Sequence, residues 1–178
     1  GEASRWSRSW RAWLKRVPLP EQSRWIMDRH LARLDQFSQE VRAVEERLKL
    51  VVRDDPVVAR LLALPGVGDV TAWTFRAEVG RFDRFRSGKQ LARFCGLTPR
   101  NVSTGGRQAD AGLIRACNGS FRAVLIQSGH RLKRHDPRYV ALARQLRTRG
   151  KPGSVIAASV ANRWVRWLYH EMKTVQAA

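Results

Sequence analysis

The sequence predicts an all-α protein: a coiled-coil helical arm leading into a compact basic helical domain with a helix-hairpin-helix-like motif. Three observations predict it. Apolar residues recur at spacings of three and four from Met27 to Val51. The pairs Asp55-Pro56 and Asp136-Pro137 read as helix caps followed by first helical positions. No stretch sustains the period of two that marks a half-buried strand.

Composition narrows the function. Of the 178 residues, 43% are apolar, enough to bury a core, which excludes a wholly disordered basic tail. No apolar run has the ~18 residues of a membrane span, and the first residues show no signal-peptide core. Cys95 and Cys117 make neither a disulfide framework nor a four-ligand zinc site, and read as reduced thiols of a cytoplasmic protein. The formal charge is +19 and falls mostly in one half: a net of +3 over residues 1–83 and +16 over 84–178. Such a half needs a polyanionic partner to offset its own repulsion. Arginine dominates over lysine, and its planar fork suits phosphate. Nucleic acid is the expected partner, with no membrane.

Taken in order, Trp6, Trp10 and Trp13 form one stripe of a first helix, suited to base stacking or to docking on another helix. Pro18 and Pro20 end it. From 22 to 53, Met27, His30, Leu34, Phe37, Val41, Val44, Leu48 and Val51 make a heptad seam. A seam this regular wants a partner helix, which predicts either a long hairpin or self-association through a coiled coil. These features divide the chain into a Trp-rich basic helix and Pro linker (1–20), a coiled-coil arm (21–55) and a helical nucleic-acid-binding domain (56–178).

The domain opens with a helix from Asp55-Pro56, then Pro65-Gly66-Val67-Gly68, then a second helix. Glycines at 66 and 68 allow a tight turn, and the next helix begins with free amides and a positive dipole end. Gly66, Val67 and Gly68 can therefore hold a backbone phosphate without reading sequence. An ordinary helix connection would look the same. A short helix over 89–95 precedes a polar loop, residues 96–112, where Arg100 and Arg107 flank Ser103-Thr104-Gly105-Gly106. A loop this long inside a helical domain tends to be functional. Its glycines would let a substrate approach. A hydroxyl between two arginines suits attack on a phosphodiester, the guanidiniums offsetting charge on phosphate oxygens. The same residues also suit a phosphate contact with no chemistry. Helices are then expected from about 113 to 134, from Asp136 to Gly150, and from Ser154 through Met172. Arg115 and Arg122 extend the nucleic-acid-binding set.

The order LPGVGDVTA, GRFDRFRSGKQLARFCGLTPR, STGG and RACNGSFRAVL resembles the C-terminal half of the DEDD-type insertion-sequence transposases guided by a bridge RNA, over roughly residues 56–172. The heptad segment is similar to the coiled-coil arm that precedes this domain in the family. The resemblance implies a bacterial DNA recombinase that binds DNA and guide RNA and whose transposase domain supplies a serine nucleophile. The serine stands in the loop after the GL-x-P motif. Counting back from the first glycine gives Thr104, and residue type gives Ser103; Ser103 is preferred because the extra methyl of threonine crowds in-line attack. In the family a separate RuvC-like half carries the four carboxylates that bind divalent metal, expected to be Mg. No segment here resembles that half, so no cofactor is expected in this chain, and alone it should bind nucleic acid without completing recombination. Two other readings stay open: a non-catalytic helix-hairpin-helix module, and a basic coiled-coil assembly protein.

Overall fold

The computed structural model describes residues 7–104 and 107–177, without the side chains of 101–111, 176 and 177. The chain divides into two compact units between Arg53 and Asp54.

In the first unit, helix α1 (Arg8–Arg16) starts at Ser7, whose hydroxyl accepts from the Trp10 amide at 3.2 Å. Nine residues make a marginal helix alone. Helix α2 (Glu21–Val51) supplies the support. The Arg24 guanidinium donates to the carbonyls of Leu14 and Val17 and to the Asp28 carboxylate, so it occupies carbonyls that the end of α1 leaves open. Arg11 reaches Asp35 at 3.6 Å, and Leu14 and Leu31 are buried. Helix α1 therefore folds back along the first half of α2 through Leu14, while Trp13 stays exposed. Trp6 lies outside the described residues. The second half of the heptad seam is uncovered: Phe37, Val41 and Val44 are each more than half exposed.

The second unit runs α3 (Pro56–Leu62), α4 (Asp69–Val79), a 3₁₀ turn (Phe82–Arg84), α5 (Gly88–Phe94), β1 (Pro99–Thr104), β2 (Arg107–Leu113), α6 (Gly119–His135), α7 (Pro137–Thr148) and α8 (Gly153–Ala177). Its axis is α8, whose Ile156, Ala157, Val160, Ala161, Trp164, Val165, Leu168 and Met172 are all buried. Positions separated by three, four and seven share one face, so this pattern buries a continuous stripe. Two glycines set the approach of its neighbours. A Cβ at Gly129 of α6 would lie 2.3 Å from the Ala157 carbonyl oxygen, and one at Gly88 of α5 would lie 2.6 Å from that of Arg166. Phe75 joins α4 to this core through Phe82, Phe121 and Trp164.

The helical class holds, with one correction. The segment read as a loop over 96–112, and as helix from 113, instead forms a two-stranded antiparallel hairpin, and α6 begins only at Gly119. Its strands are polar and small, so they lack the apolar alternation by which a strand is recognised. Backbone pairing holds the ribbon instead. Asn118 explains the late helix start, since its side-chain oxygen accepts from the amides of Ser120 and Phe121. No helix among the described residues is long and apolar enough to cross a membrane.

Candidate nucleic-acid interface

Helices α3 and α4 form a hairpin that is pinned at both ends. At the open end, Asp55 caps α3 by accepting from the amides of Val57 (2.9 Å) and Val58 (3.1 Å). Its other oxygen accepts from Arg76 Nε at 2.6 Å, and Arg76 also donates to the Gly80 carbonyl at the end of α4. Burial pushes the Asp55 carboxyl up, but the hydrogen bonds from Arg76, Val58 and Val57 together hold it below its ordinary value. At the closed end, Val67 N–H donates to the Leu64 carbonyl at 3.2 Å across Pro65-Gly66. Gly66 sits at φ +80°, the geometry of a type II turn with proline second and glycine third. Gly68 is the N-cap of α4 and no side chain caps the helix. Nothing lies within 4 Å of where a Gly68 Cβ would stand, so this helix start faces open space.

Helix α6 passes behind the turn: Leu132 and Arg131 are the neighbours a Gly66 Cβ would meet, at 3.5 and 4.0 Å. Arg131 lines a shallow cleft with Gln127, His130, Arg134 and His135. Burial, then Lys133 and Arg134, hold His130 below its ordinary value. The sequence reading missed this basic companion of the turn, because nothing in the chain order places residue 131 beside residue 66.

The second candidate region is the root of the β1–β2 hairpin. Helix α5 ends with Gly96 at φ +69°, its N–H on the Arg93 carbonyl and that of Leu97 on Ala92, a Schellman closure. A Cβ at Gly96 would lie 2.2 Å from Cys117 Sγ, so only glycine lets the two chain segments meet here. Asn162 of α8 donates to the Leu97 carbonyl at 3.0 Å, Ile114 N–H to Thr98 at 3.1 Å, and Arg122 to the Ile114 carbonyl at 2.8 Å. Asn118 also reaches Glu78 of α4 at 2.6 Å. The hairpin thus leaves a root braced from α6 and α8, with the start of α6 tied in turn to α4.

The register pairs Thr104 with Arg107 and Ser103 with Gln108, and it shifts between Pro99 and Asn101, leaving Arg100 at an irregularity. Adjacent strand positions belong to opposite faces of a ribbon. Ser103 and Thr104 therefore differ by a face, and Arg107 is the partner of Thr104. Gly105 and Gly106 lie outside the described residues, as do the side chains of Ser103, Thr104 and Arg107.

Arg100 and Arg115 are exposed and line one groove with Arg93, while Arg122 is half-buried and serves as the brace just described. The two candidate regions are not brought together. They sit toward opposite ends of α6, about 15 Å apart from Arg122 to Leu132 at 1.5 Å per residue. Among the described residues no three His, Cys, Asp or Glu side chains are grouped so as to hold a metal ion.

Residues 58–144 match the sequence model of the transposase IS116/IS110/IS902 family. The chain is 30% identical over 158 residues to a "Probable family 20 transposase" of Pseudomonas aeruginosa, covering 86% of this chain and 46% of that protein. It is 31% identical over 128 residues to the "Transposase for insertion sequence element IS1111A" of Coxiella burnetii, covering 69% and 35%. It is 29% identical over 157 residues to the "Transposase for insertion sequence element IS1328" of Yersinia enterocolitica, covering 83% and 47%. The chain spans less than half the length of these curated relatives. The glycine turn between α3 and α4, the GLTPR segment and the β-hairpin all fall inside the matched segment, and by this match and these relatives together the chain belongs to the IS116/IS110/IS902 family of transposases.

Proposed function

We propose that this chain is the strand-exchange domain of a bridge-RNA-guided DNA recombinase, binding DNA and guide RNA and presenting a β-hairpin hydroxyl to a DNA phosphodiester. The observation that carries the proposal is the hairpin with Ser103-Thr104 at its end, on a root braced by Asn162, Arg122 and the Gly96–Cys117 contact. A nucleophile must be held in a fixed attitude to act. In the net step the Ser103 oxygen forms a bond to phosphorus, the bond from phosphorus to one sugar oxygen breaks, and that oxygen leaves as a hydroxyl with the proton the serine gives up. Arg100 and Arg107 offset the charge that builds on the phosphate. The described residues hold no group of three His, Cys, Asp or Glu that would bind a metal ion.

The α3–α4 turn serves as the non-specific anchor. The open amides at the start of α4 and Arg131 behind Gly66 suit one backbone phosphate. A separation of about 15 Å from the hairpin root corresponds to four or five base pairs at 3.4 Å each, so one duplex can touch both regions. Binding of duplex DNA by this chain is expected to weaken steeply with salt, with a log–log slope steeper than about −4. Gly68→Glu should weaken binding several-fold without unfolding the domain, because it sets a carboxylate in the open space before α4. A flat salt response, or a Gly68→Glu chain that binds as well as the parent, would remove this anchor.

A further inference from the structure

A groove of about 570 Å³ lies at the root of the β-hairpin, and Phe85, Phe94, Gln90, Arg93, Arg100 and Arg115 contribute to its walls. Two kinds of wall meet in it. Ile114, Ala116 and the two phenylalanine rings are apolar, and Phe94 remains 38% exposed. The three arginines are exposed, and none of the described lining residues is acidic. An inorganic anion would leave the aromatic wall idle, and an apolar ligand would leave three cations without a counter-charge. A ligand with a flat π-face and a phosphate satisfies both walls.

The aromatic wall is set before any ligand arrives. The Arg84 guanidinium stands 4.7 Å from the ring centroids of both Phe85 and Phe94 and donates to the Glu78 carbonyl at 3.2 Å. The rings themselves lie 5.3 Å apart, and the Phe85 carbonyl accepts from the buried Tyr169 hydroxyl at 2.9 Å. A preset ring loses little freedom on stacking, which favours affinity. A base inside a perfect duplex has both faces covered by its neighbours, so only an unpaired base can use this ring.

We propose that this groove binds one unpaired nucleotide of DNA or RNA, its base on the exposed surface of Phe94 and its phosphate among Arg93, Arg100 and Arg115. The inference rests on the nucleic-acid partner of the preceding section and adds a place for a nucleotide out of the helix. Arg100 lies in β1 three residues before Ser103, about 10 Å of strand. A nucleotide held here would fix the strand beside the hydroxyl.

The test measures affinity of the 178-residue chain for a short DNA duplex with one unpaired thymidine and for the same duplex fully paired, and repeats both with RNA and uridine. The parent chain should prefer the bulged form about tenfold. Phe94→Ala should erase the preference and leave affinity for the paired duplex unchanged, while Phe94→Trp should keep it. Arg93→Gln, at an exposed position, should weaken bulged-duplex binding and lower its salt slope by about one. A 5-iodouracil at the bulge should crosslink to Phe94. The DNA or RNA series that shows the Phe94-dependent preference identifies the source of the nucleotide. Equal binding of bulged and paired forms in both series, or a preference that survives Phe94→Ala, overturns the groove assignment while leaving duplex binding standing. Failure to bind any of the four nucleic acids overturns the assignment and the function proposed above together.

Discussion

Gly129 and Asp136 show how single residues fix the second unit. The Gly129 backbone packs so closely on α8 that an added methyl would stand 2.3 Å from the Ala157 carbonyl, a backbone group that cannot swing away. Gly129→Ala should destabilise the protein by about 2–3 kcal/mol, the cost of overpacking a tight core, despite alanine's better helix propensity. An unchanged urea midpoint would show that α6 can shift to make room. Asp136 is 3% exposed, caps α7 through the Arg138 amide at 2.9 Å, and takes the Arg138 guanidinium at 2.7 Å. The hydrogen bond from Arg138 holds its carboxyl below the ordinary 3.8, with burial opposing. Because the folded-state value is the lower one, this contribution is fully present above the unfolded carboxylate's range. It fades as pH falls below about 4 toward the depressed value. Asp136→Ala should cost about 1–2 kcal/mol at pH 7, and the difference from the parent should shrink in acid below pH 4. A difference that is the same at pH 7 and pH 2.5 would place the effect in packing alone. Both Asp-Pro caps were legible in the sequence, because a cap is a contact between residues two or three apart. The role of Gly129 was not, because its neighbour is 28 positions away.

At the scale of elements the same rule separates what could be read from what could not. Helix α2 was legible as an element because the spacing of its apolar residues is itself the signal. Its partner was not, and in this unit only the first half is covered, by α1. The exposed ring and side chains of Phe37, Val41, Val44 and Leu48 are suited to a second copy of the arm. The chain should therefore sediment as a dimer or larger assembly. Val41→Lys with Leu48→Lys should yield a folded monomer, since both residues are exposed within the unit and charge is costly only where the seam is buried. A parent chain that is already monomeric at tens of micromolar would retire this use of the seam. The β-hairpin is the element the pattern concealed. Its root is held by Asn162, Arg122 and Cys117, residues that follow it in the chain by up to 65 positions. Its strands lack an apolar face to announce them. Arg100 and Ser103-Thr104 stood out by residue type and by the glycines that follow them, yet their secondary structure was not legible.

For the whole molecule, helix α6 is the link between the two candidate regions. Its N-terminal end braces the hairpin through Arg122 and meets α4 through Asn118, and its C-terminal end backs the glycine turn through Arg131 and Leu132. The net charge of +16 over residues 84–178 favours a long anionic partner over a small one. The proposed function has a consequence beyond binding, a covalent bond between a hydroxyl at the end of the hairpin and DNA. It is tested by reconstituting this chain with a RuvC-like half and a bridge RNA, supplying labelled DNA, and resolving the products on a denaturing gel. A protein–DNA adduct should form, Ser103→Ala should abolish it while DNA binding persists, and Thr104→Ala should retain it. Loss of the adduct in Thr104→Ala alone would move the nucleophile to the face shared with Arg107, and an adduct that survives both changes would show that neither hydroxyl is the nucleophile.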